Sequence, residues 1–304
     1  IHFAHQTFNW SNEAKSNAAV HVVIIGFAQF DSTNKRIFEY ENIKSNAHEK
    51  SAKNINAYLV EGDDIVIEKR RKPLCNVLNI IKGNYYAKSE GLIIEEKDLD
   101  YLVKNEPNAK KWIKLLIGAD EFINNRKRYC LWLVDCPPDE LRKMPLVMER
   151  VNRVREDRLK STDKGMQNLA PIRFRETNNP DKCIVIPVVS SEKRPYIPIG
   201  FIDKNTISTN GNLIIPNGDL FLFGQLTSLT HIAWVKYTCG RLKSDYRYSK
   251  DLVYNNYPFP KNVTEKQKSA VEEKAQNVLD IRASFNDCSL ADLYDPLSMP
   301  PNLK

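Results

Sequence analysis

Two kinds of apolar pattern alternate along the chain. Longer segments repeat their apolar residues at steps of three and four, the spacing of one helix face. Short runs rich in β-branched residues have strand length and are separated by polar turns, as in "IHFAHQTF", "AVHVVIIGFAQF", "AYLVEG", "DIVIEK", "GLIIEE", "RYCLWLVDC", "CIVIPVVSS", "YIPIGFI", "NLIIPN" and "DLFLFG". The pattern predicts an α+β fold, in which a mixed sheet is flanked by helices.

The clearest helical segment is "PPDELRKMPLVMERVNRVREDRLKS". Pro145 suits the first position of a helix, where its missing N–H costs nothing. One apolar stripe is predicted to face a core and consists of Met144, Val147, Met148, Val151 and Val154. The basic residues Arg150, Arg153 and Arg158 lie largely off that stripe, where they could face DNA phosphates or water.

A second helix is predicted near the end, in "TEKQKSAVEEKAQNVLDIRASF". Thr264 and Gln267 have the spacing of a capping box. Its docking face is predicted to carry Val271, Ala275, Val278 and Arg282. Between residues 98 and 117 the pattern indicates helices broken at Pro107, since proline cannot continue a helix.

These patterns divide the chain into four parts. Residues 1–31 form two strands joined by a polar loop near residues 9–18, and residues 32–56 are a polar linker. Residues 57–260 form the main α+β domain, and residues 261–304 a helical tail. The strand around residues 20–27 is apolar enough to be covered on both faces, so we expect the chain to begin inside a domain. We also expect that strand to pack on the main domain or on another molecule.

Charge favours a polyanionic partner. The chain carries 45 Lys and Arg against 38 Asp and Glu, a formal net charge of +7. The basic residues cluster at 69–72, 126–128, 150–160 and 241–250. Any one cluster alone is typical of a solvated face, whereas the four together favour nucleic acid.

The six cysteines are scattered without a CxxC pair or a histidine at ligand spacing. We interpret them as reduced thiols of a cytoplasmic protein, and we predict no metal site. No window approaches the length of a membrane-spanning helix.

Catalytic motifs are absent from the sequence. It contains no Gly-rich nucleotide-binding turn, P-loop, HExxH or GxSxG motif. Glu95 and Lys97 have the Glu-x-Lys spacing of some metal-dependent nucleases, but such triplets occur by chance in charged chains. We therefore expect no catalysis by this chain alone.

Two polar turns between apolar strands carry the side chains that read base pairs. Arg reads guanine, Asn reads adenine, and Glu can accept a hydrogen bond from cytosine. The candidates are Ser190, Ser191, Glu192, Lys193 and Arg194 in the first turn, and Asn205, Ser208, Thr209 and Asn210 in the second. The alternative is that both are ordinary polar hairpin turns.

The segment "CGRLKSDYRYSKDLVYNNYPFP" mixes basic and hydroxyl side chains, as phosphate contacts do. The candidates for contact with a nucleic-acid backbone are Arg241, Lys243, Tyr246, Arg247 and Tyr248.

Six long blocks of the sequence follow one another in this order: "FAHQTFNWSNEAKSNAAVHVVIIGF", "GADEFINNRKRYCLWL", "ELRKMPLVMERVNRVREDRL", "VVSSEKRPYIPIGF", "CGRLKSDYRYSKDLVYNNYPFP" and "LADLYDPLSMPP". In this order they resemble one family, the MmeI-like single-chain restriction–modification enzymes. The first block resembles the end of the family's methyltransferase domain, and the other five resemble its target recognition and C-terminal regions.

The resemblance implies sequence-specific recognition of double-stranded DNA within an adenine-specific methyltransferase that uses S-adenosylmethionine and can carry a nuclease domain. The cofactor-binding glycines and the Asn-Pro-Pro-aromatic motif of that family do not occur here, so we expect no cofactor on this chain. It also implies recognition loops around Tyr85 and Arg128, besides the two polar turns. Phe8 or Trp10 would stack on an extruded adenine, although either could instead belong to the core.

Three other interpretations stay open at this point. The chain could be a standalone nucleic-acid-binding module, an unrecognised nuclease using Glu95 and Lys97, or a specificity subunit that acts through protein contacts.

Overall fold

The computed structural model describes residues 1–10 and 20–304. The chain divides into two compact units: residues 1–69 with 241–244, and residues 70–240 with 245–304. The predicted loop that joins the first two strands falls mainly on residues 11–18, outside the described residues.

The strands of the described residues are β1 Phe3–Trp10, β2 Val20–Gly26, β3 Lys35–Glu39, β4 His48–Ala52, β5 Ile81–Lys82, β6 Ile93–Glu95, β7 Ile113–Ile117, β8 Arg128–Leu131, β9 Lys182–Pro187, β10 Val189–Ser190, β11 Gly200–Asp203, β12 Thr206–Ser208, β13 Asn212–Pro216, β14 Gly240–Leu242 and β15 Asp245–Arg247. The α-helices are α1 Glu96–Asn105, α2 Ala119–Asn124, α3 Pro138–Leu141, α4 Pro145–Leu159, α5 Lys164–Gln167, α6 Leu220–Leu226, α7 Leu229–Thr238, α8 Glu265–Ala283 and α9 Leu290–Leu293. Short 3-10 turns occupy Glu90–Leu92, Pro107–Trp112, Tyr254–Asn256 and Pro301–Leu303. The α+β prediction is confirmed.

The first unit is a four-stranded sheet in the order β2-β1-β3-β4. β1 runs antiparallel to β2 and parallel to β3. The segment 32–56, predicted to be a linker, instead contributes β3 and β4 to this sheet. Ile37 is the one fully buried apolar side chain of β3, so the alternation that identifies a strand is too weak to read there.

Strand β2 lies at the edge of that sheet. Its pairing with β1 gives it a hydrogen-bonded neighbour on one side. However, Val20, Val23 and Ile25 are 47%, 45% and 41% exposed. Within the described residues, the expected cover on both faces of this strand is therefore not found.

The second unit contains two four-stranded sheets, in the orders β11-β9-β13-β5 and β12-β7-β8-β6. The segment between β12 and β13 links them. The helices α6 to α8 contribute Phe223, Val235 and Ala275 to the core on the first sheet. α4 contributes Val147, Val151 and Val154 to the core on the second.

Both long predicted helices are present. α4 begins at Pro145, and the predicted stripe is buried at Met144, Val147, Val151 and Val154. α8 begins with the predicted capping box, in which Thr264 and Gln267 satisfy each other's backbone N–H. The break at Pro107 is also confirmed, but residues 113–117 continue as strand β7 rather than as helix.

Three predictions of strands are wrong. "AYLVEG" and "DIVIEK", residues 57–62 and 64–69, contain no named strand. "DLFLFG" is the start of helix α6, because the Asp219 carboxylate caps the helix by accepting from the Leu222 N–H at 2.8 Å. A short apolar run does not by itself distinguish a buried strand from a buried helix.

Candidate nucleic-acid interface

Three polar segments leave the sheet β11-β9-β13-β5 at the same end. β9 ends and β13 begins there, since Pro187 pairs with Asn212. β5 also ends there, because the N–H of Gly83 donates to the Asn212 carbonyl at 3.1 Å. We call this end the recognition edge, formed by residues 83–86, 188–195 and 208–211.

Asn84 ties two of these segments together and is fully buried. Its amide nitrogen donates to the carbonyls of Asn178 and Ser208, and its amide oxygen accepts from the Asn178 N–H. Its backbone carbonyl accepts from the Asn210 N–H at 3.0 Å. Sequence reasoning missed Asn84, because an asparagine in a Gly-Asn turn is too common to single out.

Tyr85 follows Asn84 and is 38% exposed. Its backbone is held on both sides, since its N–H donates to a Glu176 carboxylate oxygen and its carbonyl accepts from the Arg175 N–H. The ring is therefore presented to solvent from a fixed main chain.

Arg128 begins strand β8 and lies at the end of β7 nearest Thr209, whose N–H donates to the Ile117 carbonyl. Its guanidinium forms a half-buried ion pair with Glu121 at 2.9 Å and lies over the Tyr86 ring. Its Nε is buried without a hydrogen-bond partner among the described residues. Any contact with a base would compete with the Glu121 pair.

The turn that follows β10 is anchored by β15. Ser190 pairs with Tyr246, and the Glu192 N–H donates to an Asp245 carboxylate oxygen at 3.4 Å. The Arg194 N–H closes the turn on the Ser191 carbonyl at 3.2 Å.

Within this turn the candidate side chains differ in exposure. Ser190 is buried, Lys193 is exposed, and Ser191, Glu192 and Arg194 are half-buried. Burial lowers the pKa of Arg194, and the carboxylates of Asp245 and Asp295 oppose that shift.

The second polar turn is divided by the fold. Asn205 stands at the opposite end of β12 from Asn210, close to the hairpin carboxylate of Asp203 that accepts from its N–H. Ser208 and Thr209 are only 2% exposed. Of the four candidates in this segment, the structure brings exposed Asn210 to the recognition edge and removes Asn205 from it.

Two of the residues predicted to contact a nucleic-acid backbone lie inside the protein. Tyr246 and Tyr248 are 4% and 3% exposed and belong to the core. The Tyr248 hydroxyl bonds Nε2 of buried His231 at 2.9 Å, and burial lowers the pKa of that histidine to about 3. Arg247 lies between the two tyrosines and is exposed, because successive side chains of a strand point to opposite faces. Arg241 and Lys243, which belong to the first unit, are exposed.

The three candidate arginines of α4 separate in the same way. Arg153 is exposed and forms a weak pair with Glu149. Arg150 is half-buried and donates to the carbonyls of Gly91 and Ile93. Arg158 is 1% exposed, and its guanidinium donates only to groups of the protein. Arg158 is therefore a structural residue rather than a phosphate contact.

Phe8 and Trp10 lie in β1 of the first unit. Phe8 is half-buried and stacks on Tyr40 with ring centroids 5.1 Å apart. Trp10 is 44% exposed, so it does not belong to the core of this unit. The two rings are tilted neighbours at 6.3 Å.

The nuclease interpretation depends on the surroundings of Glu95 and Lys97. Glu95, Glu96 and Lys97 line an open cleft of about 910 Å³ together with residues 125–127. In residues 1–10 and 20–304, no group of three or more His, Cys, Asp or Glu could hold a metal ion. All six cysteines are free thiols, and burial raises the pKa of Cys130 and Cys183 to about 12. Among the helices of the described residues, none has the length and apolar character needed to span a bilayer.

Family models match the chain in three consecutive segments. They are described as the MmeI DNA-methyltransferase domain for residues 1–39, the MmeI target recognition domain for residues 61–261, and the MmeI C-terminal domain for residues 263–304. The target recognition model alone covers most of the chain. The chain therefore belongs to the MmeI family of restriction–modification proteins, as the six sequence blocks predicted.

Two known proteins show how far this similarity extends. The structure of the Type IIL restriction–modification enzyme MmeI in complex with DNA matches with a TM-score of 0.91 at 43% identity, covering 99% of this chain and 41% of that one. "DNA methyltransferase A" of Bacillus subtilis (strain 168) is 39% identical over 308 residues, which cover 100% of this chain and 34% of that protein. The chain thus spans about a third of that curated relative.

Proposed function

We propose that this chain reads the sequence of double-stranded DNA as the target recognition part of an adenine-specific restriction–modification methyltransferase. The observation that carries the proposal is the recognition edge, where three polar segments from different strands meet at one end of a rigid sheet. A duplex reader needs such a mixed set of donors and acceptors on turns whose backbone does not move. The DNA-bound structure of the MmeI relative supports DNA as the partner.

Base reading is assigned to Glu192 and Arg194, with Tyr85 and Asn210 beside them on the recognition edge. A glutamate accepts from the cytosine amino group, and an arginine donates two hydrogen bonds to guanine, so this pair suits the two bases of a C·G pair. The carboxylate of Asp245 holds the backbone at Glu192 by accepting from its N–H. Arg128 contributes only if its ion pair with Glu121 opens.

Phosphate contact is assigned to the exposed cations Arg241, Lys243, Arg247 and Arg153. A phosphate contact carries no information about sequence, and its loss weakens binding to every duplex by a similar factor. Trp10, exposed beside Phe8, is assigned to stacking on an extruded adenine.

Methylation of the adenine amino group belongs to the proposal for the whole protein. S-adenosylmethionine would supply the methyl group, and no residue of this chain is assigned to binding that cofactor. The contribution of the chain is to choose the site at which that chemistry occurs.

The test compares Arg194→Ala with Arg247→Ala in the protein expressed from its complete gene. Arg194→Ala should broaden the methylated motif at one position, because a good bidentate contact discriminates by about 1–3 kcal/mol. Arg247→Ala should leave the motif unchanged and reduce the slope of log affinity against log salt by ~0.9.

Arg142→Ala is the matched control, since Arg142 is exposed and, within the described residues, pairs with its neighbour Asp139 on α3. It should change neither quantity. An unchanged motif in Arg194→Ala, together with a changed base position in Arg247→Ala, would reverse the two assignments.

A further inference from the structure

The C-terminal segment, residues 263–304, contains an arginine that contacts the loop between β10 and β11, which is part of the recognition edge. Nη1 of Arg282, in α8, donates to the Ile199 carbonyl at 2.6 Å. Its Nε donates to the Tyr294 hydroxyl at 2.8 Å, and its Nη2 donates to the same oxygen. The guanidinium also lies over the rings of Tyr294 and Phe223, at 4.9 and 5.5 Å from the centroids. Its position is therefore fixed by two hydrogen-bonding partners and two rings.

Ile199 is the residue at which the loop of Glu192 and Arg194 returns to the sheet, one position before β11. Its side chain is fully buried. The loop is thus held at one end by β10 and β15, and at the other end by Arg282.

The C-terminal segment holds the loop at a second point. The Tyr196 ring packs against the cluster of Leu293, Tyr294, Met299 and Leu303, all of which lie within the matched C-terminal domain. The Tyr196 hydroxyl lies 3.5 Å from the carbonyl of Lys304. Tyr196 is only two residues from Arg194, so a shift of the C-terminal segment moves the main chain beside the reading side chain.

The C-terminal segment also places a carboxylate where it acts on Arg194. The carboxylate of Asp295, which follows Tyr294, is one of the two that support the charged form of half-buried Arg194. The C-terminal segment therefore contributes both packing and charge around the loop.

We infer that Arg282 and Tyr294 are positioning residues for the base-reading turn, so that the C-terminal segment sets the fidelity of sequence recognition. Tyr294 is 3% exposed and cannot reach a base, so it acts through Arg282 and the loop. This inference rests on the proposed function, since it needs Glu192 and Arg194 to contact bases. The physical reason is that base hydrogen bonds require side chains placed to within about 0.5 Å.

The experiment measures methylated motifs and salt slopes for Tyr294→Phe and Arg282→Lys in the protein expressed from its complete gene. Tyr294→Phe keeps the ring and removes the oxygen that accepts both Arg282 donors. Arg282→Lys keeps the charge and loses the fork that reaches Tyr294 and Ile199 together. Both variants should lower the preference about tenfold at the motif position that Arg194→Ala also relaxes, which corresponds to about 1.4 kcal/mol of discrimination. The salt slope should not change.

Two controls separate positioning from loss of stability. Tyr101→Phe changes a tyrosine that is 65% exposed on α1, and it should leave the motif unchanged. Val271→Ala removes packing between α8 and Gly224 of α6 without touching Arg282. It should lower the melting temperature and also leave the motif unchanged.

The outcomes distinguish this inference from the proposed function. If Arg194→Ala relaxes the motif while Tyr294→Phe and Arg282→Lys do not, the positioning role is refuted and the reading assignment stands. If Val271→Ala relaxes the same position equally, the effect is general destabilisation and the inference also fails. If Arg194→Ala itself leaves the motif intact, the reading assignment fails, and the inference falls with it.

Discussion

Arg158 allows a direct test of what holds the recognition edge together. Its five N–H groups donate to five acceptors: the carbonyls of Lys88, Leu169, Ala170 and Arg173, and the hydroxyl of Ser89. These bonds join α4 to two separate segments of the chain. The first continues from Tyr85, and the second leads to Arg175, whose N–H donates to the Tyr85 carbonyl.

Arg158→Met removes the donor from each of these five hydrogen bonds. A hydrogen bond from a charged donor contributes about 1 kcal/mol or more net, so five of them sum to roughly 5 kcal/mol. Removing the guanidinium also relieves the cost of burying a charge, which offsets part of this sum. We expect the free energy of unfolding to fall by about 3–5 kcal/mol. Arg158→Lys keeps the charge but has three donors for five acceptors, and should cost about 2 kcal/mol.

The assay is urea unfolding followed by fluorescence, with hydrogen exchange to locate the loss. Exchange should accelerate at the Arg175 N–H and around residues 85–90 before it does so in β9 and β13. Arg155→Met is the matched control, because Arg155 is exposed on the same helix and, among the residues that the structure describes, donates to its helix neighbour Asn152. It should change stability by less than about 0.5 kcal/mol. A loss below about 1 kcal/mol for Arg158→Met would refute the reasoning, since the acceptors would then have found other donors.

Three further predictions concern other parts of the chain. Buried His231 has its pKa lowered to about 3, so the unfolded state binds its proton first as the pH falls. Neutral His231 therefore makes its full contribution to stability above about pH 6.5. Between pH 6.5 and 5 the free energy of unfolding should fall by about 2 kcal/mol. The substitution His231→Phe should abolish this loss in equilibrium unfolding. Gly224→Ala normally favours a helix, but here the new methyl would lie 2.7 Å from Val271, so we expect the melting temperature to fall instead. Because the sequence lacks a glycine-rich cofactor turn, calorimetric titration of this chain with S-adenosylmethionine should show no micromolar binding.

Local patterns predicted both long helices and part of the strands. Pro145 and the buried stripe of α4 were both read correctly, as was the capping box of α8, because helix periodicity and capping depend only on residues three or four positions apart. β3 and α6 were not predicted, because residues three or four positions apart do not decide their conformation. The first has too little alternation to read, and the second is an apolar run whose conformation is decided by its Asp219 cap and its packing.

The candidate site could be predicted only as a set of segments. The turn of Glu192 and Arg194 and the neighbourhood of Tyr85 were identified from their residue types and from family resemblance. Neither the residue types nor the resemblance identified which side chains of those segments face outward. Asn205 and Asn210 lie five positions apart in sequence, but β12 places them at opposite ends of a strand.

The sequence by itself determined the family, the α+β class, the two long helices and the polar turns that carry base-reading side chains. Six blocks of similarity and short-range periodicity contain that information. Only the tertiary structure decided which of the basic and aromatic residues are available to a partner. Arg158 and Tyr248 are buried and hydrogen-bonded within the protein, whereas Arg247 and Arg153 are exposed. Such a distinction depends on the face of each strand or helix and on acceptors supplied by segments far away in sequence, so no local pattern contains it.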